Sequence, residues 1–233
     1  MHYWLVMPAA GAGKRFGGTV PKQHLPLGPA TVLEMALQPF IADSRCRALA
    51  LALAADDTSC QGLSARLAPR LRIVAGGAER VDSVIAALES LRGQAGDTDW
   101  VLVHDAVRPC LSGADLEQLL QRGAASPDGA LLASPLADTL KRADDDGTVA
   151  GTVPREQLWR ALTPQMFRYR PLLDALTAAR TAGRQPTDEA QAIEWRGGHP
   201  LLVAARDINI KITTEDDLPV AAAAIAARRQ QCE

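Results

Sequence analysis

The chain has 233 residues, 47% hydrophobic and 22% charged, with 25 Lys plus Arg against 27 Asp plus Glu for a formal net charge of −2. At about 150 residues per domain this is one large domain over residues 1–233, and the composition excludes disordered and collagen-like chains. It also lacks the basic excess of a protein held by a polyphosphate backbone, so no nucleic-acid partner is expected.

Short apolar runs alternate with longer amphipathic segments. Strands are expected at Tyr3 to Pro8, Ala48 to Ala54, Leu71 to Ala75, Trp100 to His104 and Ala130 to Ser134. Helices are expected at Val32 to Ile41, Thr58 to Leu67, Glu79 to Leu91 and Gly113 to Gly123. This is the rhythm of βαβ units, and strands apolar on both faces need helices on both sides. The fold class is therefore α/β: a doubly wound, Rossmann-like, mostly parallel sheet. Beyond Pro135 the rhythm changes. Leu136 to Arg142 and Thr148 to Val153 alternate in polarity around Asp146-Gly147, a hairpin signal. A lone hairpin is marginal in water, so residues 136–153 are expected to form a protruding β-arm that meets a second subunit. A strand at Leu158 to Arg168, helices at Pro171 to Ala182 and Asp188 to Arg196, a strand at Leu201 to Ala205 and a last helix after Thr214 complete the chain. Thr214-Glu215-Asp216-Asp217 fits a capping box at that last start.

The four cysteines form no C-x-x-C pair and the four histidines no H-E-x-x-H, so neither a zinc site nor a redox motif is expected. Residues 1–8 lack the basic region of an export signal, and the apolar stretches fall short of the ~18 residues that span a bilayer. A cytoplasmic protein without a membrane partner is expected.

The first strand runs into Pro8-Ala9-Ala10-Gly11-Ala12-Gly13-Lys14-Arg15-Phe16-Gly17-Gly18. Glycines let backbone approach a ligand, and successive N–H groups make an anion nest. A dinucleotide fingerprint fails because the sixth position from Gly11 is Phe16, and a Walker A loop fails because Arg15 follows Gly13-Lys14. What remains is a glycine loop with Lys14, Arg15 and Lys22, fixed charge suited to a triphosphate, against the alternative of a turn with solvated lysines. Gly76-Gly77 opens a helix carrying Ser83, again readable as ligand site or plain turn. His104-Asp105-Ala106-Val107-Arg108-Pro109 lies at a strand's carboxyl end, where open α/β sheets place their sites; Asp105 offers an oxygen to Mg²⁺ or a sugar hydroxyl, or else an ion pair to Arg108. Lys211 interrupts an apolar run, so it sits at an edge or reaches a buried anion.

In this order, together with Thr163-Pro164-Gln165 and Thr187-Asp188-Glu189, these segments closely resemble the 2-C-methyl-D-erythritol 4-phosphate cytidylyltransferase family over nearly the whole chain. The resemblance implies that CTP and 2-C-methyl-D-erythritol 4-phosphate react to 4-diphosphocytidyl-2-C-methyl-D-erythritol and pyrophosphate in non-mevalonate isoprenoid biosynthesis, by a homodimer joined through the arm. It implies Arg15 and Lys22 as the catalytic pair at the α-phosphate. Pro8, Ala9, Ala10, Gly11, Ala12, Gly13, Gly77, Ser83, Asp105 and Ala106 would bind the nucleotide. Thr139, Arg155, Arg108, Thr163, Thr187 and Lys211 would bind the acceptor, Thr139 and Arg155 coming from the partner's arm. Mg²⁺ would be carried on the triphosphate oxygens with few protein ligands. Ala78 and His24 depart from the family pattern, where an acid and an aromatic residue are common. Two rivals remain, a ribitol 5-phosphate cytidylyltransferase and a non-catalytic CTP-binding regulator.

Overall fold

The computed structural model describes residues 1–11 and 20–230, so the expected site positions Ala12, Gly13, Lys14 and Arg15 lie outside the described residues. In chain order the elements are β1 (Tyr3–Pro8), a 3₁₀ turn at Lys22–His24, β2 (Pro26–Leu27), β3 (Ala30–Thr31), α1 (Val32–Ala42), β4 (Cys46–Leu53), α2 (Gln61–Leu67), β5 (Leu71–Ala75) and α3 (Arg80–Ser90). Then come β6 (Trp100–Val103), α4 (Gly113–Gly123), β7 (Ala130–Pro135), β8 (Leu140–Ala143), β9 (Val149–Val153), β10 (Trp159–Arg168), α5 (Tyr169–Thr181), α6 (Glu189–Glu194), β11 (Leu201–Ala204) and α7 (Asp217–Gln230).

Seven strands form one sheet in the order β11-β7-β10-β6-β1-β4-β5. All pairings are parallel except those of β10, which runs antiparallel to both β6 and β7. Strand alternation sorts the core into two layers. Leu5 and Met7 of β1, Leu49 and Leu51 of β4 and Leu102 of β6 pack with α1, α2 and α4. Val6, Ala50, Ala52, Val101 and Val103 face α3, α5 and α6 on the other side. The alanines on that face of β4 leave room for α3 to lie close to the sheet. Each buried Leu or Val contributes roughly 1.5–3 kcal/mol, so burial on both faces sets the register firmly. A third cluster, including Leu27, Val32, Met35, Val107, Ile212 and Ala221, seats α7 against the segment after β6.

The chain leaves β1 for β4 and β5 on one side and returns to β6 on the other. A crevice therefore opens at the carboxyl ends of β1 and β6, the switch point at which such sheets bind ligands. The antiparallel β10 pairs Gln165 with Val103 at the carboxyl end of β6, so its Thr163–Gln165 stretch reaches the same crevice.

The hairpin of residues 140–153 is present as a separate two-stranded sheet, with Leu140 opposite Val153 and no pairing to the large sheet among the described residues. Its turn closes through Gly147 N–H to the Asp144 carbonyl at 3.0 Å with Gly147 at φ 83°, a conformation that favours glycine. Several expected boundaries shift; β4 and α5 each begin two residues early, at Cys46 and Tyr169, and α6 ends at Glu194. α2 begins at Gln61 rather than Thr58, and α7 begins at Asp217, two residues later than a cap at Thr214 implies. Only half of the capping box forms: the Asp217 carboxylate accepts from the N–H groups and hydroxyls of both Thr213 and Thr214, while Thr214 Oγ1 gives its proton to Asp217. These bonds, the Thr213 N–H first among them, hold the Asp217 carboxyl down at about 2. Among the described residues no helix is long and apolar enough to cross a membrane.

Candidate active site

Backbone hydrogen bonds carry the sheet's pairing past the strand ends: Ala9 N–H reaches the Ala52 carbonyl at 2.7 Å and Gly76 N–H the Leu53 carbonyl at 2.7 Å. The loops after β1 and β5 therefore lie side by side. Their approach explains Gly76, where a Cβ would fall 2.4 Å from Ala10 Cβ and 2.8 Å from Ser83 Oγ. Ser83 is buried; its hydroxyl accepts from Gly77 N–H at 3.2 Å and donates to the Glu79 carbonyl, closing the turn that opens α3. Gln23, buried in the Lys22–His24 turn, donates its Nε2 to the carbonyls of Ala9 (2.9 Å) and Gly11 (3.4 Å), tying that turn to the glycine loop.

Asp105, immediately beyond β6, is the charge centre of the crevice. Oδ1 accepts from Arg80 Nε and Nη2 at 3.2 and 3.1 Å, and Oδ2 from Lys211 at 3.0 Å and Arg108 Nε at 3.4 Å. Arg80 also forms a two-pronged pair with the buried Glu189 at 2.6 and 3.1 Å. Burial raises the Asp105 carboxyl, but Arg80, Lys211 and Arg108 together outweigh it and hold the group well below the usual carboxylate range. Three cations thus share two carboxylates, leaving one formal positive charge at the carboxyl ends of the strands, a field that suits a phosphate.

Behind Asp105 lies an ordered polar chain. Asp105 N–H donates to Thr163 Oγ1 at 3.0 Å; that hydroxyl lies 2.9 Å from His104 Nδ1, and His104 Nε2 lies 3.1 Å from the Arg108 carbonyl. A carbonyl only accepts, so the Nε2 carries the proton and Nδ1 accepts from Thr163. Burial pushes the imidazole down to about 4, in accord with a neutral ring. Asn209 donates to the Thr163 carbonyl at 2.8 Å, and the Asn209 carbonyl accepts from Arg108 at 2.8 Å, which ties the segment before Lys211 to the same group. Gln165 anchors α6: its Oε1 accepts from Ala190 N–H at 2.8 Å and its Nε2 donates to Asp188 at 2.9 Å, which places Glu189 opposite Arg80.

The geometry can be set beside known proteins. The profile of the IspD family, 2-C-methyl-D-erythritol 4-phosphate cytidylyltransferase, matches residues 3–227. A protein of that name from Halorhodospira halophila is 51% identical over 99% of this chain and 97% of its own length. The chain belongs to this family. A crystal structure described as 4-diphosphocytidyl-2C-methyl-D-erythritol synthase superposes with TM-score 0.83 at 33% identity, covering 96% of this chain and 98% of that one. The Francisella tularensis 2-C-methyl-D-erythritol 4-phosphate cytidylyltransferase superposes with TM-score 0.80 at 30% identity, covering 95% and 98%.

Of the positions expected from the cytidylyltransferase resemblance, Asp105, Arg108, Thr163 and Lys211 meet in one hydrogen-bonded group, with Ala106 buried beside it. Pro8, Ala9, Ala10 and Gly11 leave β1 next to Gly77 and Ser83. Lys22 stands half-buried in its 3₁₀ turn. Thr187 is exposed ahead of α6, its N–H bonded to Gln191. Thr139 and Arg155 are exposed at the two ends of the hairpin; Arg155 donates to the Ala137 carbonyl, and neither bonds to the Asp105 group. The Thr163 hydroxyl is committed to His104 and Asp105, so it orders the Asp105 backbone. Arg80, Glu189, Gln23, Gln165 and Asn209 were not singled out from sequence. Gln165 in β10 and Glu189 in α6 carry a signal, polarity at positions their elements turn inward; Gln23 and Asn209 are buried outside regular helix or strand and Arg80 is half-buried at the start of α3, where no period marks them.

Proposed function

We propose that the protein transfers a cytidylyl group from CTP to 2-C-methyl-D-erythritol 4-phosphate, forming 4-diphosphocytidyl-2-C-methyl-D-erythritol and pyrophosphate in isoprenoid biosynthesis. The observation that carries the reading is the cationic group on Asp105 at the switch point of a chain that belongs to this family. An acceptor phosphomonoester has a second pKa near ~6, so its oxygen is largely deprotonated near neutral pH and requires no general base. His104, whose two ring nitrogens are both engaged in the buried chain, is not available as one. The phosphate oxygen attacks the α-phosphorus, the bond to the pyrophosphate oxygen breaks, and charge grows on oxygens that Arg15 and Lys22 stabilise as preorganised cations.

Residues 8–13 with Gly77, Asp105 and Ala106 cradle the nucleotide, and Arg108, Thr187 and Lys211, with Thr163 behind them, receive the acceptor. The exposed hairpin reaches a second copy of the chain, whose Thr139 and Arg155 complete the acceptor side. Among the described residues no three His, Cys, Asp or Glu converge on a metal position, and both Asp105 oxygens are held by cations. A Mg²⁺ ion brought in on the triphosphate would find the Asp105 carboxylate at these strand ends, with Glu189 held by Arg80 behind it. When bound, it supplies charge neutralisation to the phosphates.

Pyrophosphate release with CTP and Mg²⁺ is expected with 2-C-methyl-D-erythritol 4-phosphate and not with ribitol 5-phosphate. Release with the second acceptor alone would move the assignment, and release with neither would leave a nucleotide-binding protein. Lys22→Ala is expected to lower turnover by ~10²-fold, the scale of losing one preorganised donor to developing charge. Turnover within a factor of about two would remove Lys22 from the mechanism.

A further inference from the structure

His24 is not a surface histidine. Its Nε2 lies 2.6 Å from Asp57 Oδ2, with the two side chains only 12% and 10% exposed. Asp57 belongs to the loop after β4, where its Oδ1 accepts from the Ser59 N–H at 2.9 Å and the Ser59 hydroxyl at 2.5 Å. Ser59 Oγ is 3.1 Å from both ring nitrogens of His24, so it follows neither lone pair and lies over the ring. That geometry, with the hydroxyl proton already on Asp57, rules out a Ser-His-Asp nucleophile and leaves a clamp. The charged groups that line the same cavity of ≈ 400 Å³ are Glu34 and Arg66, paired with each other at 2.6 Å, with Thr31 and Cys60 beside them.

The clamp acts on a very short element. In a 3₁₀ turn successive side chains point about 120° apart, so Lys22, Gln23 and His24 face three directions. The turn has no side-chain cap. Gln23 ties one side to the carbonyls of Ala9 and Gly11, and His24 ties another to Asp57. Both ties fix the backbone from which Lys22 projects, so a shift of either one turns Lys22 with it.

We propose that His24 and Asp57 are positioning residues that lock the Lys22 turn between the glycine loop and the loop after β4, and so aim Lys22 at the triphosphate. The proposal rests on the reading of Lys22 given above. A displacement of about 1 Å at a catalytic group costs up to ~10²-fold, so loss of one of two ties should lower kcat by about tenfold.

The test is the steady-state kinetics of pyrophosphate release by the full-length protein. His24→Ala and Asp57→Ala are each expected to lower kcat about tenfold, with KM for CTP changed less than about threefold. His24→Gln, which keeps a donor, should recover part of the loss. In a Lys22→Ala background His24→Ala should cost less than about twofold, because a residue acting through Lys22 has nothing left to aim. A full tenfold loss in that background, an unchanged kcat in the single variants or an effect on KM alone would overturn the proposal. Should Lys22→Ala itself turn over like wild type, the reading of Lys22 fails and the proposal falls with it. A loss for Lys22→Ala with none for His24→Ala rejects the positioning pair only.

Discussion

At the scale of single residues the site depends on groups that cannot be removed singly without leaving another stranded. Asp105 answers three cations, and its own backbone is held by Thr163, which in turn needs the neutral His104 behind it. His104 gives this arrangement a pH signature. Its imidazole titrates at about 4 in the folded protein against 6.5 when unfolded, so the unfolded chain binds more protons between these values. Stability therefore rises with pH through this window and is lost as pH falls, by about 3 kcal/mol for a shift of this size. Asp105, with its depressed carboxyl, adds a loss of the same sign at lower pH, below the ordinary carboxylate range. Urea unfolding from pH 7 to pH 4 is expected to show the His104 slope, and His104→Gln to remove about one proton from it. Identical slopes in the two proteins would mean that the ring is not held neutral.

At the scale of elements, what matters is how closely the loops after β1 and β5 approach. Gly76→Ala would press a methyl group on Ala10 and Ser83 Oγ, and neither neighbour is the far end of a long side chain. A loss of about 1–3 kcal/mol in urea unfolding is expected, with weaker CTP binding by calorimetry as the glycine loop is displaced. Gly62→Ala, in α2 with nothing within 4 Å of the added Cβ, is the contrasting case and should stabilise by roughly 0.5–1 kcal/mol. If both changes had the same effect, close packing would not be the reason for Gly76. Much at this scale was legible in the sequence, since β1, β5 and α4 follow directly from apolar alternation and helical spacing. Element ends were less so. The start of α7 was misplaced because Asp217 satisfies the donors of Thr213 and Thr214 from inside the helix, where a pattern of residue types suggests a cap further upstream.

At the scale of the whole molecule, the hairpin of β8 and β9 lies apart from the seven-stranded sheet and exposes Val149 by 63%. Replacing residues 140–153 with a short Gly-Ser linker is expected to leave the melting temperature nearly unchanged, because few core contacts are lost. If the hairpin joins two copies as proposed, sedimentation should show a dimer for the intact chain and a monomer for this variant, and acceptor-dependent turnover should fall; a dimer that persists would assign the interface elsewhere. The sequence by itself determined the parallel α/β frame, the hairpin and the glycine-bearing strand ends, because each is written in periods of a few residues and in turn chemistry. It also marked Lys211 as bound for an edge or a buried anion. Only the tertiary structure decided between these: Lys211 meets Asp105 across 106 positions, and Arg80 meets Glu189 across 109. It likewise decided that β10 enters antiparallel between β6 and β7, carrying Thr163 to the Asp105 backbone. Local propensity carries no information about such partners. They are chosen when two-sided apolar strands settle into one order and helices cover both faces, which brings residues distant in the chain to the carboxyl end of one sheet.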